Sequence, residues 1–293
     1  MKFLKSFLVV LLVMIPVTAF AEKAKTIEEL AAMYDSSSCK ECHAEIYAQW
    51  EKSHHARSLM GVLGGLFMTP LAMKDKTPFS PDDPSQATLD TFPCFKCHLP
   101  QAVTSGSDDF AKDYAKALVA QDKERIGKLN ISCLVCHNTK AIIHKRDEGH
   151  PEKGVLYSTK AVKSHDHPDF KTVKKSSIMD HSIMCGQCHG QGPNLEFENP
   201  VQCATLYGSY QHNYLSKGGQ KSCQECHMGD NADHLFAPNW NDLEGTKKLL
   251  QEAISLDIDT VGYDWLLKSK DYKPVVVVNT RINTTAGHRI PDG

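Results

Sequence analysis

Five copies of one short pattern of cysteine and histidine stand out in this 293-residue sequence. The pattern is Cys-x-x-Cys-His, and its copies begin at Cys39, Cys94, Cys133, Cys185 and Cys223. A shuffled chain of the same composition would contain roughly 0.02 copies, so the repetition is not accidental. Thiols and imidazoles at fixed spacing are typical of zinc sites, redox motifs or haem attachment, which the details of the spacing distinguish.

The trailing histidine favours haem attachment over the other readings. A zinc site would use Cys-x-x-Cys pairs two at a time, a thioredoxin-like motif would occur once, and a disulfide framework needs no histidine at a fixed place. In Cys-x-x-Cys-His, two thioethers hold the porphyrin and the histidine binds iron on the proximal side. The sequence therefore predicts five covalent c-type haems, held by Cys39, Cys42, Cys94, Cys97, Cys133, Cys136, Cys185, Cys188, Cys223 and Cys226, with His43, His98, His137, His189 and His227 as proximal ligands.

The second axial ligand decides what each iron can do. A second histidine closes the coordination sphere and suits electron transfer, whereas an open position permits substrate chemistry. Ten histidines lie outside the motifs, twice the number that five bis-histidine haems need. They are His54, His55, His144, His150, His165, His167, His181, His212, His234 and His288.

Helices connected by long loops are expected to position these motifs. Thr26 and Glu29 form a capping-box pattern before the first motif, and apolar residues at helical spacing predict helices over 42–56, over 109–128 and around Leu249 to Ile254. Proline and glycine mark loops at 75–93 and 190–200, and Val275 to Ile282 reads as the one strand. With only about 54 residues per motif, the predicted fold is mainly α, wrapped around packed haems.

The N-terminal segment predicts where the protein is located, and the composition limits which partners it can have. Residues 1–21 combine Lys2 and Lys5, a short apolar run and the small residues Ala19 and Ala21, which predicts a cleaved bacterial secretory signal and a periplasmic or outer-surface protein. The near-neutral formal charge of −2 argues against nucleic acid as a partner. The expected organisation is a signal over 1–21, a pentahaem domain over 22–240 and a C-terminal helix with a partial β segment over 241–293.

Several segments resemble a large family of multihaem c-type cytochromes, which includes the tetrahaem cytochromes of ammonia oxidisers and exported cytochromes of metal-reducing bacteria. The first motif followed by Trp50 and by Ser53-His54-His55-Ala56 is similar to that family's opening haem segment. The resemblance implies that His55, ahead of His54, is a distal ligand. Other elements similar to that family imply three more distal ligands. They are His144 after the third motif, His234 after the fifth and His288 in Gly287-His-Arg-Ile-Pro291. The fifth distal ligand stays open between His181, which we take first, His165 and His212.

The C-terminal segment departs from that family, whose members place the turn around His288 inside a larger β-rich segment. In this sequence the strand Val275 to Ile282 has no evident partner, so the β segment looks incomplete, and either a second chain completes it or the sequence is truncated. The eleventh cysteine, Cys203, is expected to be buried, with pairing to another chain or reactivity as the alternatives. Five lysines between 160 and 175 make a basic stretch that is either a solvated loop or a docking site for an acidic redox partner.

The favoured function is an exported electron carrier with mostly bis-histidine haems, and not an enzyme. Its partners would be other redox proteins, such as a quinol-oxidising membrane cytochrome or a terminal reductase. A redox enzyme for nitrite, hydroxylamine or a sulfur oxyanion, with one open haem, is the alternative from another class, although the Cys-x-x-Cys-Lys pattern of multihaem nitrite reductases is absent. Self-assembly into a haem filament is a further hypothesis.

Overall fold

The computed structural model describes residues 23–60, 82–141, 152–190, 205–229 and 231–290. The signal segment 1–21, His144, Cys203 and most of the two predicted loops lie outside these ranges. In chain order the described α-helices are α1 (Ile27–Met33), α2 (Ala44–Glu51), α3 (Phe95–His98), α4 (Pro100–Ser105), α5 (Asp108–Val119), α6 (Lys123–Ile126), α7 (Ile183–His189), α8 (Leu206–Asn213), α9 (Cys223–His227) and α10 (Leu243–Ala253). The strands are β1 (Val155–Ser158), β2 (Thr172–Lys175), β3 (Ile254–Leu266) and β4 (Tyr272–Thr284).

Polar caps begin the helices where the sequence places them. The Thr26 hydroxyl accepts from the Glu29 amide and starts α1, while the Glu29 carboxylate accepts from the Lys25 amide instead of closing a reciprocal capping box. Helix α2 is shorter than the predicted helix over 42–56, and of its two apolar residues four apart only Trp50 is buried, since Ile46 remains 40% exposed. None of the helices in the described ranges is long and apolar enough to cross a membrane.

The predicted helix over 109–128 is broken into two. Helix α5 ends at Val119, Gln121 adopts a left-handed backbone with a φ of 54°, and α6 begins at Lys123. The Asp122 side chain accepts from the Arg125 amide and caps the new start. The single-helix prediction was wrong, because the left-handed backbone at Gln121 ends the helical repeat and Asp122 caps a separate short helix.

Helices α1 and α3 to α6 enclose a core of aromatic and aliphatic side chains. Phe92, Phe95, Phe110 and Tyr114 pack with ring centroids 5.0 to 6.3 Å apart, and Leu30 and Leu118 are fully buried beside them. Phe95 belongs to the second Cys-x-x-Cys-His motif, so this core anchors that motif directly. The amino-terminal half of the described chain therefore has a protein core of its own.

Two small sheets complete the described architecture. Strands β1 and β2 pair in parallel from Val155 opposite Thr172 to Ser158 opposite Lys175, beside a π-helical turn (Val135–Thr139) that carries the third motif. Strands β3 and β4 form an antiparallel hairpin over all 13 residues of each strand. The expectation that Val275 to Ile282 is a lone unpaired strand was therefore wrong: this segment lies within β4, and Ile254, predicted to be helical, begins β3.

Candidate haem-binding sites

Each motif folds as one tight helical turn that brings its reactive side chains together. The His43 amide donates to the Cys39 carbonyl at 2.8 Å, and the His98 amide donates to the Cys94 carbonyl at 3.0 Å. Residues four apart in such a turn share one face, so the first cysteine and the histidine point the same way. The ten motif cysteines are free thiols, and all are at least partly exposed.

Four of the five motif histidines face a histidine from outside the motifs. The ring centroids are 6.3 Å apart for His43 and His165, 6.3 Å for His189 and His55, 6.2 Å for His137 and His234, and 6.1 Å for His227 and His288. In three of these pairs the rings are within 24° of parallel, and in the pair of His55 and His189 they are at 69°. Every pair thus combines a predicted proximal ligand with a residue far away in the chain.

These separations fit two imidazoles on opposite sides of one iron. A histidine nitrogen binds a transition metal at about 2.0 Å and lies about 1.1 Å from its own ring centroid, so two such rings have centroids roughly 6.2 Å apart. A porphyrin iron takes only two ligands from the protein. Within the described ranges, no group of three or more His, Cys, Asp or Glu side chains could hold a metal ion.

Backbone carbonyls fix the tautomer of most of these histidines. On the proximal side, His137 Nδ1 donates to the Tyr157 carbonyl at 2.9 Å, and His227 Nδ1 donates to the Ala237 carbonyl. On the distal side, three rings donate in the same way: His165 to Phe170 at 2.7 Å, His234 to Ala232 at 2.6 Å and His288 to Arg289 at 2.8 Å. With its proton on Nδ1, a neutral ring keeps the Nε2 lone pair free for a metal.

His167 shows the opposite arrangement, although it lies beside His165. Its Nδ1 accepts from the backbone amides of Asp169 and Phe170, and its Nε2 donates to the Ser38 hydroxyl at 3.0 Å. Because the Nε2 atom carries the proton, this imidazole has no lone pair to offer there. Hydrogen bonding thus separates a ligand geometry at His165 from a structural role at His167.

Burial keeps several of these imidazoles neutral. Burial, together with the neighbouring histidines, lowers the pKa of His55 to about 4. Burial also lowers the pKa of His137, His189, His227 and His234. In all of these except His189, the hydrogen bond to a backbone carbonyl raises the pKa and offsets part of this effect. Neutral imidazole is the form that binds metal, so these shifts favour ligation at neutral pH.

The structure assigns places to most of the predicted distal ligands. His55, His234 and His288 each lie opposite a motif histidine, as the resemblance implies. Of the three candidates for the fifth position, His165 faces a motif histidine, whereas His181 and His212 are exposed. His144 lies outside the described residues, and within them no imidazole lies against His98, whose Nδ1 is 3.3 Å from the Ser58 carbonyl oxygen.

Two segments hold His234 in place. The Gln49 side chain of α2 accepts from the His234 amide at 3.1 Å, and the buried Asn239 side chain donates to the carbonyls of Lys52 and Leu235. Phe236 packs edge-on against His55 at 4.5 Å and also against His234 at 5.6 Å. Helix α2, which carries Trp50, therefore links the first motif to two of the distal histidines.

Helix α8 holds the turn that carries His288. The Arg289 amide donates to the Ser209 hydroxyl at 2.9 Å, and the Arg289 guanidinium donates to the Thr205 hydroxyl at 2.5 Å. Gly287, with a φ of +81°, lies against the Tyr214 side chain just after α8. The position of His288 opposite His227 thus depends on packing against α8.

Thiols of different motifs also meet. A hydrogen bond from Cys39 lowers the pKa of Cys133, one from Cys97 lowers that of Cys188, and one from Cys185 lowers that of Cys223. These contacts join the first motif to the third, the second to the fourth and the fourth to the fifth. The fold thus brings motifs that are distant in sequence side by side.

No family model, curated protein or solved structure matches this chain. The interpretation of the site therefore rests on its own residues and their geometry.

Proposed function

We propose that the chain is an exported pentahaem c-type cytochrome that carries electrons between other redox proteins. The observation that supports this most directly is the set of four imidazole pairs with centroids 6.1 to 6.3 Å apart, each built from one motif histidine and one distant histidine. Among the described residues one more imidazole pair, His165 with His167 at 5.9 Å, contains no motif histidine, but the hydrogen bonds of His167 leave its Nε2 without a lone pair.

The chain's residues would act as follows. When bound, haem supplies reversible one-electron exchange between ferric and ferrous iron. The motif cysteines would hold the group covalently, and each pair of imidazoles would supply two ligands to its iron, which would leave no position for a small substrate. The carbonyls that accept from Nδ1 fix the ring orientations and raise the basicity of Nε2. A closed coordination sphere leaves electron exchange with a partner as the supported role.

The proposed location and partners follow from the same chemistry. Residues 1–21 have the features of a secretory signal, which directs the chain to the periplasm or the outer surface. Because the paired imidazoles would supply both protein ligands at four sites, electrons would enter and leave through contacts with other proteins. A quinol-oxidising membrane cytochrome as donor and a terminal reductase as acceptor are the proposed partners.

Mass spectrometry of the intact protein, expressed with a cytochrome c maturation system, tests the attachment. We expect a mass increase equal to five haems, and a Cys133→Ser, Cys136→Ser double variant should lack one of them. The matched control is Cys203→Ser, the only cysteine outside the motifs, which should keep all five. A protein without haem whose thiols are joined as disulfides would refute the proposal.

The spin state of the oxidised protein then separates the carrier from an enzyme. We expect electron paramagnetic resonance to show low-spin iron at the four paired sites, indifferent to cyanide and nitrite. A redox enzyme is the second candidate, and the site at His98 favours it because no described imidazole lies against that ring. One high-spin, cyanide-binding haem that is lost with His98→Ala would establish an open site there and refute a pure carrier.

A further inference from the structure

The β3–β4 hairpin has one face on which apolar side chains outnumber polar ones and that nothing in the described part of the chain covers. Cross-strand pairing places the even-numbered residues of both strands on the same face, from Leu256 opposite Ile282 to Leu266 opposite Tyr272. We call this surface the even face. Its seven large apolar side chains are each 54 to 69% exposed: Leu256, Ile258, Leu266, Tyr272, Val276, Val278 and Ile282.

The opposite, odd-numbered face is mixed, because it carries charged residues as well as Val261, Tyr263, Trp265 and Val277, which are 40 to 54% exposed. It carries Asp257, Asp259, Arg281 and Lys273, and the Asn283 amide donates to the Asp257 carboxylate at 2.8 Å. On the even face Asp264 is the only charged residue of the two strands, and it lies near the turn. The even face is therefore suited to contact with another apolar surface. The odd face is suited to solvent at the end of the hairpin away from the turn, where Asp257, Asp259 and Arg281 lie.

A two-stranded hairpin alone is at best marginally stable in water, and a second layer is what makes such a sheet persist. Apolar patches of more than a few hundred Å² are rare on monomers and mark interaction sites. Seven large side chains, each more than half exposed, amount to on the order of 600 Å² per copy and about 1,200 Å² for two, the lower end for stable interfaces.

We propose that the even face is a self-association surface on which two copies of this chain pack hairpin against hairpin about a two-fold axis. A second copy offers the same uncharged rows of valine and isoleucine, so no like charges meet at the centre of the contact. Gly262 stands in the middle of the even face with no atom within 4 Å of the position that a Cβ would occupy, which leaves room for the facing side chains to approach. The result is a four-stranded sandwich of two twisted layers.

This inference is independent of the haem proposal, because it rests on the hairpin alone. Sedimentation velocity of the haem-loaded, full-length protein at about 1 to 100 µM tests it. We expect a dimer for the wild type, and for Val276→Lys with Val278→Lys a dissociation constant at least about 100-fold higher, since four buried lysines would face one another. Val277→Lys is the matched control, because Val277 lies between them on the odd face and is 40% exposed.

Three results would overturn the proposal: a wild type that is monomeric throughout, a double variant that dimerises like the wild type, or a Val277→Lys variant that dissociates as much as the double variant. Haem content and circular dichroism of each variant report on folding separately. A measurement on the wild type alone guards against misfolded variants: amide hydrogen exchange of 254–284 should slow as the protein concentration rises. Exchange that does not change with concentration would also contradict the contact.

Discussion

Replacing Gly287 by alanine is the sharpest test of how the fold positions a distal histidine. Gly287 precedes His288 and has a φ of +81°, which costs a residue with a side chain about 1–2 kcal/mol. An added Cβ would also lie 2.9 Å from the Cβ and the Cδ2 atoms of Tyr214. Both effects push the turn that carries His288 away from α8 and hence from His227.

Tyr214 has little freedom to move aside. Its ring fills the space beside Gly219, where a Cβ would lie 2.4 Å from it, and its hydroxyl accepts from the Lys221 amide at 3.3 Å. Overpacking of this kind costs typically about 1–3 kcal/mol. Together with the backbone term, roughly 2–5 kcal/mol is available to detach the turn. The ratio of ligated to unligated His288 should therefore fall by roughly 30-fold to 4,000-fold.

Electron paramagnetic resonance of the oxidised Gly287→Ala protein measures this loss as one new high-spin haem. Gly218→Ala is the matched control, because Gly218 also has a positive φ, of 88°, but no atom lies within 4 Å of its Cβ position. The control should keep the wild-type spectrum. If Gly287→Ala keeps every haem low-spin at unchanged reduction potentials, the turn does not depend on this contact and the reasoning fails.

Three further predictions address the other parts of the fold. In the same resonance experiment, His165→Ala should produce one high-spin haem, whereas His181→Ala should produce none. A high-spin haem in His181→Ala and none in His165→Ala would make His181 the ligand instead. The pKa of Glu28, lowered to about 2 by Arg125, means that this pair stabilises the fold above the ordinary pKa of 4.5 and is lost as the pH falls through about 2. The stability gap between wild type and Glu28→Gln in urea should therefore shrink between those pH values, and a constant gap would contradict it. Phe110→Ala should cost roughly 3–5 kcal/mol in urea denaturation, because that ring is fully buried, and a loss below about 1 kcal/mol would show that the core is not packed as described.

Local features of the fold could be predicted from the sequence, because local residues determine them. The motif turns need only a cysteine and a histidine four positions apart, and the Thr26 cap needs only the amide of Glu29. The pairing of His43 with His165 depends on residues 122 positions apart, and no local pattern encodes it. The family resemblance predicted three of the four histidines that the structure places opposite a motif histidine. It named the fourth, His165, only as one of three candidates.

The hairpin partner, by contrast, had a readable signal. From Ile254 to Asp259 apolar and polar residues alternate, as in strands, and the segment that they begin pairs with β4 in register. Because Leu249, Leu250 and Ala253 have helical spacing, Ile254 was predicted to belong to the same helix, but α10 ends one residue earlier. The break at Gln121 was also visible in principle, because Asp122 followed by a basic and an acidic residue is an N-cap pattern.

The paired histidines differ in how the chain holds them, and this has a consequence for the chemistry. Each motif histidine lies in a helical turn whose geometry is local, as for His43 bonded to Cys39. Each distal histidine lies in a loop or short turn, such as His234 or His288, that other segments hold in place through one or two side-chain contacts. Substitutions in those holding residues, for example Gln49, can therefore shift a distal imidazole without disturbing the attachment turn. Under the proposed function, coordination could thus be tuned at each site from residues that are neither motif cysteines nor ligand histidines.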